Sequence, residues 1–138
     1  LTLLLALRMM EDSAFALDDP VVTLNPDWRG IPAWDGVCVR HLLAHTHGLD
    51  FALSVSALDA SWSIGDLARK CASSAKRLFA PGTMYGYSMI GHTVIAHLCE
   101  RILGDSFACL LRRHVIDPLG IDLRVDAEAN ALNSVLHG

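Results

Sequence analysis

A mainly helical chain with little strand, in segments too short for an obvious bundle, is the fold class that these 138 residues predict. Three observations carry that expectation. Ile90, Val94, Leu98 and Ile102 recur at four-residue spacing, which lines one face of a helix. Ser63-Ile-Gly-Asp66 sets a hydroxyl and a carboxylate three residues apart, as a capping box does. Turn formers, rather than alternating apolar and polar residues, fill most of the intervals between helical patterns.

Taken in order, residues 3 to 14 read as the end of a largely buried helix, which Ala16-Leu-Asp-Asp-Pro20 stops. The opening LTLLLALRMM resembles a signal core only briefly. No basic segment precedes it, and Arg8 with Glu11-Asp12 leaves it short of the roughly 20 apolar residues that cross a bilayer. A chain that begins in mid-pattern is expected to continue upstream. Val21-Val-Thr-Leu24 is short and β-branched. An irregular excursion follows from Asn25 to Gly36, with Trp28 and Trp34 expected to pin it to the body. Val39 to Ala44 reads as a short helix closed by His45-Thr-His-Gly48, with Gly48 as a left-handed cap. Residues 50 to 62 are weakly patterned loop. A helix capped by Ser63 runs to about Ser74, and a turn-rich connection occupies 75 to 87. Ser88 is placed to cap the Ile90–Ile102 helix, which Gly104 ends. Another helix starts at Asp105 or Ser106 and carries Phe107, Leu110, Leu111 and Val115. Asp117-Pro-Leu-Gly120 terminates it, and Ile121 to Val125 has the composition of a short strand.

Composition narrows the function classes. Hydrophobic residues make up 52% and charged residues 19%, which argues against disorder and suits a piece that packs against neighbours. Eleven basic against fifteen acidic residues give a formal charge of -4, without a basic stripe, so neither nucleic acid nor an anionic membrane is indicated as a partner. Cys38, Cys71, Cys99 and Cys109 form no CxxC pair. The last three lie in helical patterns beside apolar residues, where buried free thiols are the ordinary expectation. Disulfide pairing stays open at this level.

His41, His45 and His47 in HLLAHTH are the nearest approach to a metal motif, because residues i and i+4 share a helix face. No glutamate follows His41, as HExxH requires, so capping and local packing are the leading reading. Single histidines at 92, 97 and 114 are read the same way. Gly82, Gly86 and Gly91 make neither a phosphate loop nor GxGxxG, and no cofactor or metal is expected. No GxSxG elbow is present. Tyr87 stands apart. A phenol with its ordinary pKa of about 10 is a poor base, but it serves chemistry when a neighbouring ammonium favours the phenolate or when it relays a proton to and from a serine.

Four segments, in one order, then carry a resemblance. ALDDPV (16–21), VRHLLAHTHGL (39–49), FAPGTMYGYSMIGHTVIAHLCERILG (79–104) and IDPLGI (116–121) are similar to the LDDPV, HLLTHTSGL, PGTxWxYSNxGY and PLGM segments of the serine beta-lactamase-related family. That family includes class C beta-lactamases, penicillin-binding-protein-like esterases and D-amino-acid peptidases, and LACTB-like proteins. The resemblance implies a beta-lactamase/transpeptidase-like α+β fold of several parts, with this chain supplying mainly the helical subdomain. It also implies an acyl-enzyme on the serine of an SxxK motif, with its lysine and the tyrosine of YxN handling the proton, and a KTG or HxG strand completing the site.

Carried over by position, Tyr87 falls on the tyrosine of YxN, Ser88 between its functional positions, and Met89 on its asparagine. Tyr85 stands where an aromatic is usual, His92 where tyrosine is common, and His47 where serine is usual. An amide both donates and accepts whereas a thioether accepts weakly, so Met89 is expected to weaken substrate orientation without harming the helix. Matching Thr2 and the leucines to the SxxK helix sets its lysine immediately before residue 1. Residues 1–138 are therefore expected to form a partial domain lacking both the SxxK start and the KTG or HxG sheet end. The function implied is a fragment of a serine hydrolase acting on an amide or ester bond of a beta-lactam, D-peptide or ester, with a small-molecule or peptide partner in the full protein and no activity in this chain alone. The alternative is a non-catalytic pseudoenzyme that uses the fold for packing or assembly.

Overall fold

The structure, a computed structural model, describes residues 1–50 and 62–123. Its centre is the helix that the four-residue spacing foretells. This is α5, Met89–Leu103, the fifth of seven α-helical segments among the described residues, of which α1 is Thr2–Glu11, α2 Val21–Leu24, α3 Val39–Leu43, α4 Ile64–Ser74, α6 Phe107–Leu111 and α7 Asp117–Leu119. Ser88 caps α5 by accepting from the Ile90 amide at 3.2 Å, and Gly104 ends it in the left-handed conformation. Ile90, Val94 and Leu98 are buried as expected. So are Gly91, Thr93, Ile95, Ala96 and Cys99, because α1, α3, α4 and α6 surround the helix. A helix buried on most sides needs a broader apolar surface than one stripe.

The closest of these contacts is with α3. A methyl group at Gly91 would lie 2.5 Å from the Leu42 carbonyl oxygen, so only glycine lets the two backbones meet there. α4 packs along α5 with Leu67, Ala68, Cys71 and Ala72. Its capping box forms as read. Ser63 Oγ accepts from the Asp66 amide at 3.1 Å, and Asp66 Oδ2 accepts from the Ser63 amide at 3.0 Å. The Ser63 hydrogen bonds hold the Asp66 carboxyl below its ordinary range.

The Asn25–Gly36 excursion contains two short 3-10 turns, Pro26–Trp28 and Pro32–Trp34. Trp28 and Trp34 stack at 4.8 Å and are both buried, and Trp34 Nε1 donates to the Ala72 carbonyl at 3.3 Å. They pin the excursion to the helical body. The Asp18-Asp-Pro turn lies against the chain before α3, where the Val21 amide donates to Val37 at 2.9 Å and the Val39 amide to Asp19 at 3.1 Å. Two of the resembling segments are thus bonded to one another.

Several expectations are corrected. α1 is not largely buried. Leu5, Ala6 and Met9 face the core, while Leu1, Leu3, Leu4 and Leu7 are exposed on the other side. Val21–Leu24 is a helical turn, its β-branches notwithstanding. The connection after α4 holds a strand, β2 (Lys76–Arg77), which pairs antiparallel with β1 (Leu49–Asp50). Two-residue strands are too short to show a period in sequence. Ile121 to Leu123 is irregular, with the Ile121 amide turned back to the Ile116 carbonyl at 3.2 Å; the rest of that expected strand lies outside the described residues, as does most of the 50–62 loop. α6 starts at the Ser106 cap and passes through a π turn, Arg112–Ile116, into α7 before Gly120 stops it. All four cysteines are free. Cys71 and Cys99 are buried, which pushes each thiol up to about 12, but Cys109 is exposed.

Candidate active site

The segment bearing Tyr87 is held by the backbone of the His45–Leu49 segment. After β2 leaves its partner, the Leu78 amide donates to the Gly48 carbonyl at 2.8 Å, the Gly82 amide to Thr46 at 2.8 Å and the Gly86 amide to His45 at 2.9 Å. These bonds fix a loop of turn residues that strand pairing alone would leave after Arg77. Gly48 has φ 70 and a Cβ there would sit 2.1 Å from the Phe79 carbonyl oxygen, so its left-handed cap also admits the loop. The loop delivers Tyr87 to the N-terminal end of α5. Tyr87 is 71% exposed and Met89, at the first position of the helix, is 36% exposed. Tyr85, Met84 and Leu78 are exposed beside them in the chain.

The histidines act as backbone acceptors. His41 Nδ1 accepts from the Cys38 amide at 3.0 Å and so completes the start of α3. His47 is fully buried, and its Nδ1 accepts from the Leu49 amide at 3.0 Å. Burial, with His45 and His41 nearby, lowers the His47 pKa to about 4. His41 and His45 do not share a helix face, contrary to the i, i+4 geometry, because α3 ends at Leu43 and His45 has φ 55. His45 instead lies among aromatic rings. Its centroid is 4.8 Å from Tyr87, 4.8 Å from His92 and 6.0 Å from Tyr85. Burial lowers the His92 pKa, and His45 adds to the effect.

A Ser-x-x-Lys spacing does occur in the chain, at Ser73–Lys76, against the expectation that it is lacking. Its geometry is wrong for a nucleophile and base. Ser73 lies in the last turn of α4 and Ser73 Oγ donates to the Lys70 carbonyl at 3.2 Å, whereas Ala75 is extended and Lys76 belongs to β2. The two side chains do not share a helix face. Sequence reasoning placed Tyr87 and Met89 together, as the structure does, but missed His45 as the ring beside Tyr87. A spacing of 42 residues offers no periodic signal, and a left-handed histidine is not legible without its neighbours.

The fold built around this tyrosine is that of the beta-lactamase/transpeptidase-like serine hydrolases, of which the chain supplies a mainly helical part. A beta-lactamase-like protein of Bacteroides dorei superposes with TM-score 0.75 at 25% identity, over 92% of this chain and 39% of that one. EstCE1, a hydrolase with promiscuous acyltransferase activity, superposes with TM-score 0.72 at 29% identity, over 93% of this chain and 38% of that one. Esterase EstB of Burkholderia gladioli is 31% identical over 134 residues, 86% of this chain and 34% of the esterase. The Beta-lactamase family model matches residues 1–125, and the chain belongs to that family. It spans about a third of the length of the curated relative it matches.

Proposed function

We propose that this chain is the helical portion of a serine hydrolase that cleaves an amide or ester through an acyl-enzyme, with Tyr87 relaying the proton. The observation that carries the reading is the presentation of Tyr87. Three backbone hydrogen bonds from residues 78–86 to 45–48 hold the loop, and the phenol stands exposed at the start of α5. In the reaction, a serine oxygen forms a bond to the substrate carbonyl carbon, and the bond from that carbon to the leaving nitrogen or oxygen breaks. The serine proton ends on the leaving group, and Tyr87 is the group through which it passes. The serine and its lysine are supplied from outside these 138 residues, so the chain alone is inactive. Similarity to an esterase and to a hydrolase with acyltransferase activity supports an acyl-transfer chemistry.

A second reading rests on Met89. A thioether cannot reproduce the two-way hydrogen bonding of an amide, and a parent protein that lost catalysis while keeping the fold for packing or assembly would tolerate it. One experiment separates the two readings. In the parent protein, Tyr87→Phe should slow acylation by about a hundredfold, as loss of a proton-transfer group does. Met89→Asn should raise it roughly tenfold, the worth of one recovered hydrogen bond. A parent with no acylation at all, in a folded state, would favour the non-catalytic reading.

A further inference from the structure

We propose that His45 is the positioning residue of Tyr87. The tie is two-sided. The amide before Tyr87, that of Gly86, donates to the His45 carbonyl at 2.9 Å, and the amide after it, that of Ser88, approaches His45 Nδ1 at 3.5 Å. One residue therefore brackets Tyr87 with its main chain on one side and its ring on the other. The second contact is long, so the carbonyl bond carries more of the restraint. Between them the imidazole packs on the phenol at 4.8 Å with the planes tilted by 41°.

The backbone of His45 supplies an independent observation. Its φ of 55 lies in the left-handed region, which strains a non-glycine residue and persists only where its surroundings hold it there. Glycine or asparagine would occupy that conformation more readily. The imidazole at this position makes contacts that neither could. Its ring meets Tyr87, His92 and Tyr85, which all lie at or beside the start of α5.

His45 thus limits where the phenol oxygen can sit relative to the N-terminus of α5. The catalytic weight of that restraint rests on the reading of Tyr87 above, but the restraint itself can be measured without turnover. The chain has two tyrosines, so uniform 3-fluorotyrosine labelling gives two fluorine resonances, which Tyr85→Phe assigns. His45→Gly relieves the left-handed backbone and removes the ring. The expected result is a folded variant, by circular dichroism and cooperative melting, in which the Tyr87 resonance sharpens and moves toward that of free fluorotyrosine. Tyr85, further from His45, should move less. An unchanged Tyr87 resonance in the folded variant overturns the proposal.

His45→Asn is the second variant. It tolerates the left-handed conformation and retains an acceptor for the Ser88 amide without the ring, so Tyr87 should shift part of the way. In the unsubstituted chain a ring-to-ring nuclear Overhauser effect between His45 and Tyr87 is required, and its absence counts against the proposal however the variants fold. In the parent enzyme, His45→Gly should lower kcat with little change in KM. If Tyr87→Phe leaves turnover intact while the fluorine result holds, the proton-relay reading fails and the positioning stands.

Discussion

His47 shows how one side chain couples burial to pH. Its imidazole is fully buried and neutral, with Nδ1 occupied by the Leu49 amide and Nε2 without an acceptor among the described residues. The folded state therefore resists protonation and the pKa is lowered to about 4, against 6.5 for an ordinary histidine. Between those values the unfolded chain takes up a proton that the folded chain refuses. Stability is complete above pH 6.5 and falls as pH drops toward 4, by on the order of 2–3 kcal/mol. His47→Ser should flatten the fall of the urea midpoint over that window, because a hydroxyl can accept from Leu49 without titrating. Burial also lowers the pKa values of His41, His92 and His97, so some slope should persist. A profile as steep as that of the unsubstituted chain would show that His47 is not the group responsible. At this scale the candidate site was marked in sequence only in part. Tyr87 and Met89 were marked by motif position, while His45 required a backbone angle and a ring contact that no spacing encodes.

Among the elements, α5 was the most legible because its caps and its apolar repeat agree with one another. The repeat underestimated its burial, since the residues between the stripe positions are small or β-branched and pack wherever a neighbour reaches them. The contact with α3 gives a direct test. Gly91→Ala gains about 1 kcal/mol in helix propensity, but its methyl would approach the Leu42 carbonyl oxygen to 2.5 Å and force two backbones apart. Overpacking of that kind costs about 3 kcal/mol. The net loss of about 2 kcal/mol should lower Tm by several degrees, and calorimetry showing a rise instead would mean that α3 yields freely. β1 and β2 were not legible for the opposite reason. Their pairing is set by where the His45–Leu49 segment meets the returning chain, a long-range condition. The π turn before α7 is similar, since a widened turn leaves no mark in residue type. It precedes Pro118, which has no amide to give to the turn before it.

For the whole molecule, the resemblance of four ordered segments carried the fold class, whereas periodicity alone gave only helices of uncertain assembly. The exposed leucines of α1 could not be separated from the buried ones in sequence, because Leu3, Leu4, Leu5 and Leu7 are the same residue on two sides of one helix. No helix among the described residues is long and apolar enough to cross a membrane. The proposed function, in which the serine and lysine come from outside these residues, carries its own test. Purified 1–138 is expected to form no covalent adduct with a beta-lactam or a fluorophosphonate by intact mass, and stoichiometric labelling would place a nucleophile within the chain.

Arg77 has a consequence beyond the hairpin it sits in. From β2 its guanidinium reaches the carbonyls of Pro32, Ala33 and Asp35, the first at 3.3 Å and the second at 2.8 Å. The residues that follow β2 lead to Tyr87. The tryptophan-anchored excursion is therefore a fixed pillar, and Arg77 is the hinge pin by which the Tyr87 end of the loop is hung from it. Slack introduced at residues 32–35, far from Tyr87 in sequence, should be felt as play in the phenol before it is felt as loss of the fold.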